Sequence, residues 1–251
     1  MKKTAILLVL FFVSSYGQTN SSNDSIASDT VKNIRFNYRQ LIIPSLLVGY
    51  GVIGIESDQL KSFNSQIKDE ITEDIDQKIT IDDFSQWAPA ASVYALNAFG
   101  VQGKNNLRDR SVVLATSYLI MSGTVFGLKS WTKIERPDGT SKNSFPSGHT
   151  ATAFAGAEFL WQEYKDESIW YGITGYAIAT GTGLFRMYNN RHWLTDVAAG
   201  AGIGILSTKI AYWINPYVTK KLFNNEKKGS NTLLAPSYDG KNFGVSFIKT
   251  F

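Results

Sequence analysis

Both histidines of the chain lie among residues that could take part in catalysis. His192 precedes Asp196 by four residues. On a helix this spacing would place the carboxylate on the same face as the imidazole, where it can accept a hydrogen bond and fix the tautomer. His149 ends the sequence Pro-Ser-Gly-His at residues 146–149, ahead of an apolar segment. A Ser-Gly turn that leads into a helix presents backbone N–H groups to an anion.

Three basic residues lie where apolar segments end. Lys129 follows the uncharged residues 111–128, Arg136 comes seven residues later, and Arg186 directly follows residues 168–185. Arginine offers a planar fork to phosphate oxygens, and lysine offers a point charge. Each feature alone has a common structural explanation, such as a helix cap or a charge that complements the helix dipole. Together they indicate a dianion site, an oriented histidine nucleophile and a second histidine that acts as an acid.

These residues resemble the three signatures of the type-2 phosphatidic acid phosphatase family, which also includes bacterial class A acid phosphatases and vanadium haloperoxidases. The signatures are Lys-x6-Arg-Pro at Lys129, Arg136 and Pro137, Pro-Ser-Gly-His at 146–149, and Arg-x5-His-x3-Asp at Arg186, His192 and Asp196. The helical pattern extends the resemblance to roughly residues 40–220. Phe185 departs from the family, which usually has Ser before this arginine, and the departure bears on the substrate rather than on the mechanism.

The resemblance implies a metal-free phosphohydrolase that needs no cofactor. His192, oriented by Asp196, would attack phosphorus and form a phosphohistidine. His149 would protonate the leaving alcohol and then activate the water that releases phosphate. The phosphate-binding groups would stabilise charge on the three equatorial oxygens. They would be Lys129, Arg136, Arg186, Ser147 and the N–H of Gly148.

Six uncharged segments rich in small and aliphatic residues must position these groups. Each lacks the strict alternation of a strand and is long enough for a helix. The sequence therefore predicts an all-α domain, a bundle of about six core helices. The segments are residues 40–55, 84–103, 111–128, 143–157, 168–185 and 197–208.

Residues 56–83 differ from the rest because they hold nine acids and three bases. Apolar residues at spacings of three and four predict an amphipathic helix with an acidic outer face. A solvated helix that covers the core is the favoured interpretation. A lid or a membrane-surface contact is the alternative.

The two ends of the chain differ in composition from the helical segments between them. Residues 1–17 combine Lys2 and Lys3 with nine apolar residues and predict a secretory signal peptide, with an N-terminal membrane anchor as the alternative. Residues 18–39 predict a flexible leader. In the tail, residues 221–251, Asp239-Gly240-Lys241 lies between alternating segments and predicts a short C-terminal β-hairpin packed on the helices.

Composition excludes several classes of protein. The 251 residues are 43% hydrophobic and 18% charged, which is untypical of disordered chains and coiled coils. Without cysteine, the chain has no disulfides, thiolate metal sites or cysteine nucleophile. The formal net charge is +4 from 25 basic and 21 acidic residues, and it falls to about +2 without Lys2 and Lys3. This charge is too small to indicate a nucleic-acid partner.

The compartment follows from the predicted signal and from hydropathy. The uncharged segments have 12 to 20 residues, and mean hydropathy is −0.12, whereas a membrane span needs about 20 apolar residues. Composition therefore favours a periplasmic helical domain, with membrane attachment or passage as the alternative. The expected partners are a phosphorylated lipid or a small phosphate ester, and a membrane surface.

A lipid phosphatase on the periplasmic side is the favoured function. Its candidate substrates are the phosphates of lipid A, undecaprenyl diphosphate and phosphatidylglycerophosphate. The alternatives are a soluble non-specific acid phosphatase, a vanadate-dependent haloperoxidase and a non-catalytic helical scaffold.

Overall fold

A computed structural model describes residues 38–73 and 80–223, together with the backbone of residues 231–238 and 243–250. The predicted signal peptide and residues 18–37 of the predicted leader lie outside the described residues. A 3-10 turn, Tyr38–Leu41, opens the described part. The elements that follow are α1 Ile42–Glu56, α2 Asp58–Thr72, α3 Ile81–Ser85, α4 Ala88–Ala98, α5 Leu107–Thr132, α6 Gly148–Tyr164, α7 Ile169–Tyr188, α8 Leu194–Phe223, β1 Asn231–Tyr238 and β2 Phe243–Thr250.

The described residues between 38 and 223 are helical wherever they form regular structure, as the sequence predicted, and each of the six uncharged segments overlaps a helix. The strands β1 and β2 pair antiparallel, with Asn231 opposite Thr250 and Tyr238 opposite Phe243. The turn between them, residues 239–242, lies outside the described residues. The hairpin as a packed unit therefore stays a prediction, as do the domain boundaries of the sequence analysis.

Close packing of α8 against α6 and α1 builds the centre of the fold. A Cβ atom on Gly204 would lie 2.3 Å from the carbonyl oxygen of Ala151 and 2.8 Å from the nitrogen of Ala155. On the other side of α8, a Cβ atom on Gly51 of α1 would lie 2.5 Å from the Cβ of Ala199. Small residues let helix backbones approach in this way. This close approach fixes the position of α8 along its axis relative to α6, and with it the place where the first turn of α8 meets α6.

The helices from α5 to α8 alternate in direction, so α5 and α7 end where α6 and α8 begin. Direct contacts join these termini. The N–H of Ser147, at the start of α6, donates to the carbonyl of Asp196 in the first turn of α8 at 3.0 Å. Lys129, in the last turn of α5, donates to the carbonyl of Ser144 at 3.3 Å. Four helix termini therefore meet at one end of the bundle, called here the site end.

Three helical segments of the described chain are long and apolar enough to cross a membrane: Tyr38–Glu56, Leu107–Thr132 and Leu194–Phe223. Large apolar side chains point outward on them, and Leu119 is 75% exposed. The composition-based preference for a periplasmic domain underestimated these lengths. Charged residues close both ends of the uncharged segment 111–128, whereas α5 continues through them to reach 26 residues. That length exceeds the roughly 20 residues of a span.

The acidic interval is shorter as a helix than its pattern suggested. Helix α2 ends at Thr72, and the short α3 begins at Ile81. On α2 the apolar face is only partly covered, because Phe63 is 43% exposed. The buried side chain of α2 is polar and belongs to Asn64. Contacts of α2 and α3 with α7 and α8 place both helices at the site end.

Candidate active site

His192 and Asp196 lie together at the start of α8. The Nδ1 atom of His192 is 3.6 Å from Oδ2 of Asp196, and both side chains are almost fully buried. The two side chains meet for a different reason from the one expected, because His192 lies in the turn before α8 rather than on a helix. Asp196 accepts the backbone N–H of Trp193 at 2.9 Å. This bond closes the turn and brings the imidazole to the carboxylate.

A buried serine completes this pair. Ser144 donates its hydroxyl hydrogen bond to Oδ2 of Asp196, and its Oγ lies 3.5 Å from Nδ1 of His192. All of the described polar contacts of the imidazole are therefore made by Nδ1. The other ring nitrogen, Nε2, is left to face a substrate.

Burial gives His192 the protonation state that a nucleophile needs. It lowers the pKa of His192 to about 4, although the Asp196 carboxylate raises it. The positive charges of Lys129 and Arg186 lower the pKa further. The imidazole is consequently neutral at pH 7, with one nitrogen carrying a free lone pair.

The loop between α5 and α6 holds two of the predicted phosphate-binding cations. Lys129 donates to the backbone carbonyl of Asn143, and the Nε of Arg136 donates to the side-chain oxygen of Asn143 at 2.9 Å. Burial and the charges of Arg186 and Arg191 lower the pKa of Arg136. This mutual repulsion indicates that several cations crowd one small volume, which favours binding of an anion.

The third cation, Arg186 of α7, is buried and paired with α3. Its Nη1 donates to the carboxylate of Asp82, which also accepts from the Nδ2 of Asn189 at 3.0 Å. The Nε of Arg186 is buried without a hydrogen-bond partner among the residues that the structure describes. The guanidinium is therefore held in place from one side and retains a donor for a ligand.

The second histidine also has a carboxylate partner. His149, in the first turn of α6, places its Nε2 at 2.9 Å from Oδ1 of Asp83. Burial, followed by the charge of Arg186, lowers the pKa of His149, whereas Asp83 and Asp82 act in the opposite direction. The imidazole remains partly exposed, at 30% of its side chain. It is thus placed to exchange a proton with a bound molecule.

The role of Ser147 as a phosphate-binding residue stays a prediction. Ser147 is the N-cap of α6, and its fully buried hydroxyl lies 2.8 Å from the Oγ1 of Thr150. Both its hydroxyl and its N–H are therefore engaged inside the protein. Gly148 is the first residue of α6. At this terminus the backbone N–H groups have no partner within the helix, whereas the hydroxyl of Ser147 already has one.

The three predicted signatures consequently meet in space, at the ends of four helices. Residues 110–220 match the family model described as the PAP2 superfamily. The chain is thus similar to the PAP2 superfamily over these residues. The resemblance to type-2 phosphatidic acid phosphatases that the motifs carry is thereby confirmed.

Two curated relatives are similar in sequence to part of the chain. The lipid A 1-phosphatase of Porphyromonas gingivalis is 42% identical over 140 residues, which cover 55% of this chain and 31% of that protein. The bacitracin transport permease protein BcrC of Bacillus licheniformis is 35% identical over 74 residues, covering 30% of this chain and 34% of that protein. The matched part thus spans about a third of the length of each of these relatives.

Two solved structures are similar to the chain. LpxE of Aquifex aeolicus has a TM-score of 0.46 at 22% identity, over 60% of this chain and 94% of that one. The PAP2-type phosphatidylglycerolphosphate phosphatase of Bacillus subtilis has a TM-score of 0.48 at 19% identity, over 72% and 98%.

Several residues of the site were missed by the sequence analysis. Ser144 lies two residues before the Pro-Ser-Gly-His motif, inside a predicted uncharged segment, and no spacing rule marks it. Asp82 and Asp83 lie outside residues 110–220, in the acidic interval 56–83. Seven other acidic residues occur there, so the sequence does not distinguish these two. Phe185, which departs from the family pattern, is half-buried and packs edge-on against Tyr188 with ring centroids 6.1 Å apart.

One group of residues at this site has the composition of a metal site. Single ligand atoms of Asp82, Asp83 and His149 all lie within 4.8 Å of one another. The carboxylate of Asp82 is already bound by Arg186 and Asn189, and Asp83 binds His149. A cation there would also lie beside the Arg186 guanidinium. The ligand atoms of this group therefore already have partners within the protein.

Proposed function

We propose that the chain is a metal-independent phosphatase that forms a phosphohistidine. The observation that carries this proposal is the meeting of two histidines, each beside a carboxylate, with the cations Lys129, Arg136 and Arg186 at the site end. A dianion fits between these charges. Since the contacts of His192 occupy Nδ1, we assign the attack on phosphorus to Nε2.

The reaction has two steps. In the first, Nε2 of His192 forms a bond to phosphorus while the bond to the ester oxygen breaks, and His149 transfers a proton to that oxygen. Asp196 stabilises the imidazole as positive charge develops on it. In the second step, His149 takes a proton from water, which attacks phosphorus and breaks the nitrogen–phosphorus bond. The products are an alcohol and inorganic phosphate.

The cations act in both steps. The transferring phosphoryl group carries charge on three equatorial oxygens, and fixed donors aimed at them lower the barrier without reorganisation. Arg186 contributes its buried Nε. Lys129 approaches from the last turn of α5 and Arg136 from the α5–α6 loop, and Gly148 contributes its backbone N–H. Ser147 supports them through the cap of α6.

We infer that the substrate is a membrane lipid phosphate, hydrolysed on the periplasmic side. Three helical segments have the length and hydropathy of membrane spans, and two of them carry site residues at or beside the site end. A phosphate at the headgroup level would meet the site without leaving the membrane. The relative named lipid A 1-phosphatase supports this substrate class, and the predicted signal peptide supports the side.

The test is trapping of the phosphorylated enzyme with a radiolabelled lipid phosphate in detergent micelles. Acid-labile, alkali-stable label should appear on the wild-type chain, whereas His192→Ala should carry no label and release no phosphate. His149→Ala is the matched control, because it removes the other histidine but keeps the nucleophile. It should still be labelled by p-nitrophenyl phosphate, whose leaving group needs no acid.

The outcomes separate the alternatives. Release of phosphate by His192→Ala at a substantial rate would refute the nucleophile. Hydrolysis of p-nitrophenyl phosphate that equals or exceeds that of lipids would favour a general acid phosphatase. If neither substrate is hydrolysed, the phosphatase proposal fails.

A further inference from the structure

The buried carboxylate of Asp82 lies beside the phosphate-binding residues but has no part in the reaction described above. Asp82 is 1% exposed and belongs to the first turn of α3, outside residues 110–220 that match the family model. Its Oδ2 accepts from Nη1 of Arg186, and its Oδ1 accepts from Nδ2 of Asn189, the C-cap of α7, at 3.0 Å. Both oxygens thus bind the end of α7, and the carboxylate cannot turn without breaking one of these contacts.

The contact with Asp82 sets the orientation of the Arg186 guanidinium. This group is planar, and its N–H donors form a rigid fork. Because Asp82 holds Nη1 and the backbone of α7 holds the other end of the side chain, the plane has little freedom to rotate. The buried Nε has no hydrogen-bond partner in the described parts of the chain, although buried donors in native proteins usually have one. An oxygen of a bound phosphate would satisfy it.

A second contact holds α3 against the same helix. The Oγ of Ser85 lies 2.8 Å from the Oγ1 of Thr182, four residues before Arg186 on α7. Thr182 is almost fully buried, so this contact lies inside the protein. Helix α3 has five residues, too few to be stable without tertiary contacts. Asp82 and Ser85 therefore bind consecutive turns of α7 and together fix the carboxylate relative to Arg186.

We propose that Asp82 is a positioning residue that aims the Nε of Arg186 at an equatorial oxygen of the transferring phosphoryl group. This inference rests on the proposed phosphatase function, since it assigns how one of the cations is oriented. A carboxylate repels a dianion, so Asp82 does not assist the binding of phosphate itself. Its contribution belongs to the transition state, where a displacement of a group by about 1 Å can lower the rate about 100-fold.

A purely structural ion pair between Asp82 and Arg186 is the alternative, and the two roles predict different measurements. Loss of a structural pair lowers stability, and it lowers the binding of every anion to the same extent. Loss of a positioning residue lowers kcat and the affinity for a transition-state mimic, whereas the affinity for inorganic phosphate is kept or rises with the removal of a negative charge. Orthovanadate is the mimic, because it takes up the five-coordinate geometry of phosphorus under attack.

The test measures kcat with a lipid phosphate in micelles, together with the affinities for inorganic phosphate and orthovanadate. In Asp82→Asn, kcat and the orthovanadate affinity should each fall about 10-fold to 150-fold, as expected for a hydrogen bond to a charged group. The phosphate affinity should be equal or higher.

The matched control is Glu158→Gln, which also removes the charge of a carboxylate buried in an ion pair. Glu158 is 1% exposed and accepts from Nζ of Lys209 at 2.7 Å. It lies about 15 Å along α6 from the first residue of that helix. Glu158→Gln should lower the unfolding temperature and leave kcat and both affinities unchanged.

A second variant keeps the test decisive if Asp82→Asn does not fold. Ser85→Ala loosens α3 without changing a charge, so kcat should fall about fivefold, as expected for a neutral hydrogen bond, with an unchanged phosphate affinity. Its control is Ser92→Ala in α4, whose hydroxyl donates to the carbonyl of Ala88 in the same helix at 2.8 Å. This control should keep the wild-type kcat.

Three results would overturn the positioning role. The first is a kcat of Asp82→Asn within twofold of the wild-type value. The second is an equal loss of phosphate and orthovanadate affinity in this variant, which is the signature of a structural pair. The third applies if Asp82→Asn does not fold, and it is an unchanged kcat in Ser85→Ala.

The binding measurements separate this proposal from the phosphatase itself. A wild-type chain that releases no phosphate, but whose affinity for orthovanadate falls at least tenfold in Asp82→Asn, would refute the enzyme and keep the role of Asp82 in orienting Arg186 toward an oxyanion. An active phosphatase whose kcat and orthovanadate affinity are the same in Asp82→Asn would refute the positioning role alone.

Discussion

Replacement of Ser144 by alanine tests whether the buried serine acts through Asp196. Ser144 is fully buried and donates to a carboxylate. Hydrogen bonds to charged groups contribute about 1.5–3 kcal/mol. If all of this free energy orients His192 in the transition state, kcat should fall between roughly 10-fold and 150-fold. Because Ser144 contacts none of the three phosphate-binding cations through its side chain in the described structure, KM should change little.

The assay is steady-state phosphate release from a lipid phosphate in micelles, combined with thermal unfolding of each variant. Ser117→Ala is the matched control. Ser117 is also fully buried, and its hydroxyl lies 2.6 Å from the Oγ1 of Thr208, in the interior of the bundle. It should lose about 1 kcal/mol of stability, as expected for a neutral hydrogen bond, with kcat unchanged.

A double-mutant cycle decides whether Ser144 works through the carboxylate. Asp196→Asn should lower kcat strongly by itself, because the imidazole loses the group that stabilises its charge. Adding Ser144→Ala to Asp196→Asn should then cost little more, since residues that act as a unit are not additive. Full additivity, or a kcat of Ser144→Ala equal to that of Ser117→Ala, would refute the reasoning.

Four other substitutions, the last of them a control, test the second histidine and the helix packing. His149→Ala should slow the hydrolysis of alkyl phosphates more than that of p-nitrophenyl phosphate, and equal losses would argue against an acid role. An acid must be protonated, and the hydrogen bond that the Asp83 carboxylate accepts from His149 raises the pKa of His149. Asp83→Asn should therefore move the alkaline fall of kcat/KM to lower pH, and an unmoved profile would contradict this. Gly204→Ala would bring a Cβ atom to 2.3 Å from the oxygen of Ala151 and should destabilise the fold by about 1–3 kcal/mol. Gly123→Ala, whose Cβ would meet nothing within 4 Å, should leave the unfolding temperature unchanged or higher.

The sequence analysis located the helices and the three signatures because both depend on local information. Uncharged segments without alternation predict helices, and the spacing of His192 and Asp196 predicts that they meet. The two side chains are neighbours as predicted, but not because they share a helix face. His192 lies in a turn that Asp196 closes by accepting the N–H of Trp193.

Long-range contacts could not be predicted in this way. Ser144 and Asp196 are 52 residues apart, and Asp82 and Arg186 are 104 residues apart. No periodicity connects such positions. The acidic interval has the composition of a solvated surface, so nothing in its sequence marks the two carboxylates that bind site residues. The lengths of the candidate membrane spans in α5 and α8 were underestimated because charged residues, such as Lys209 inside α8, were taken as the ends of the apolar segments.

The pairing of Asp82 with Arg186 has a consequence for the end of each catalytic cycle. Inorganic phosphate is also a dianion, and it suits the same cations as the substrate. When it departs, the buried Arg186 guanidinium does not become an unpaired charge, which would be costly, because its Nη1 stays bound to Asp82. On the proposed mechanism the empty site therefore needs no replacement anion, and phosphate can leave while the charge of Arg186 remains compensated.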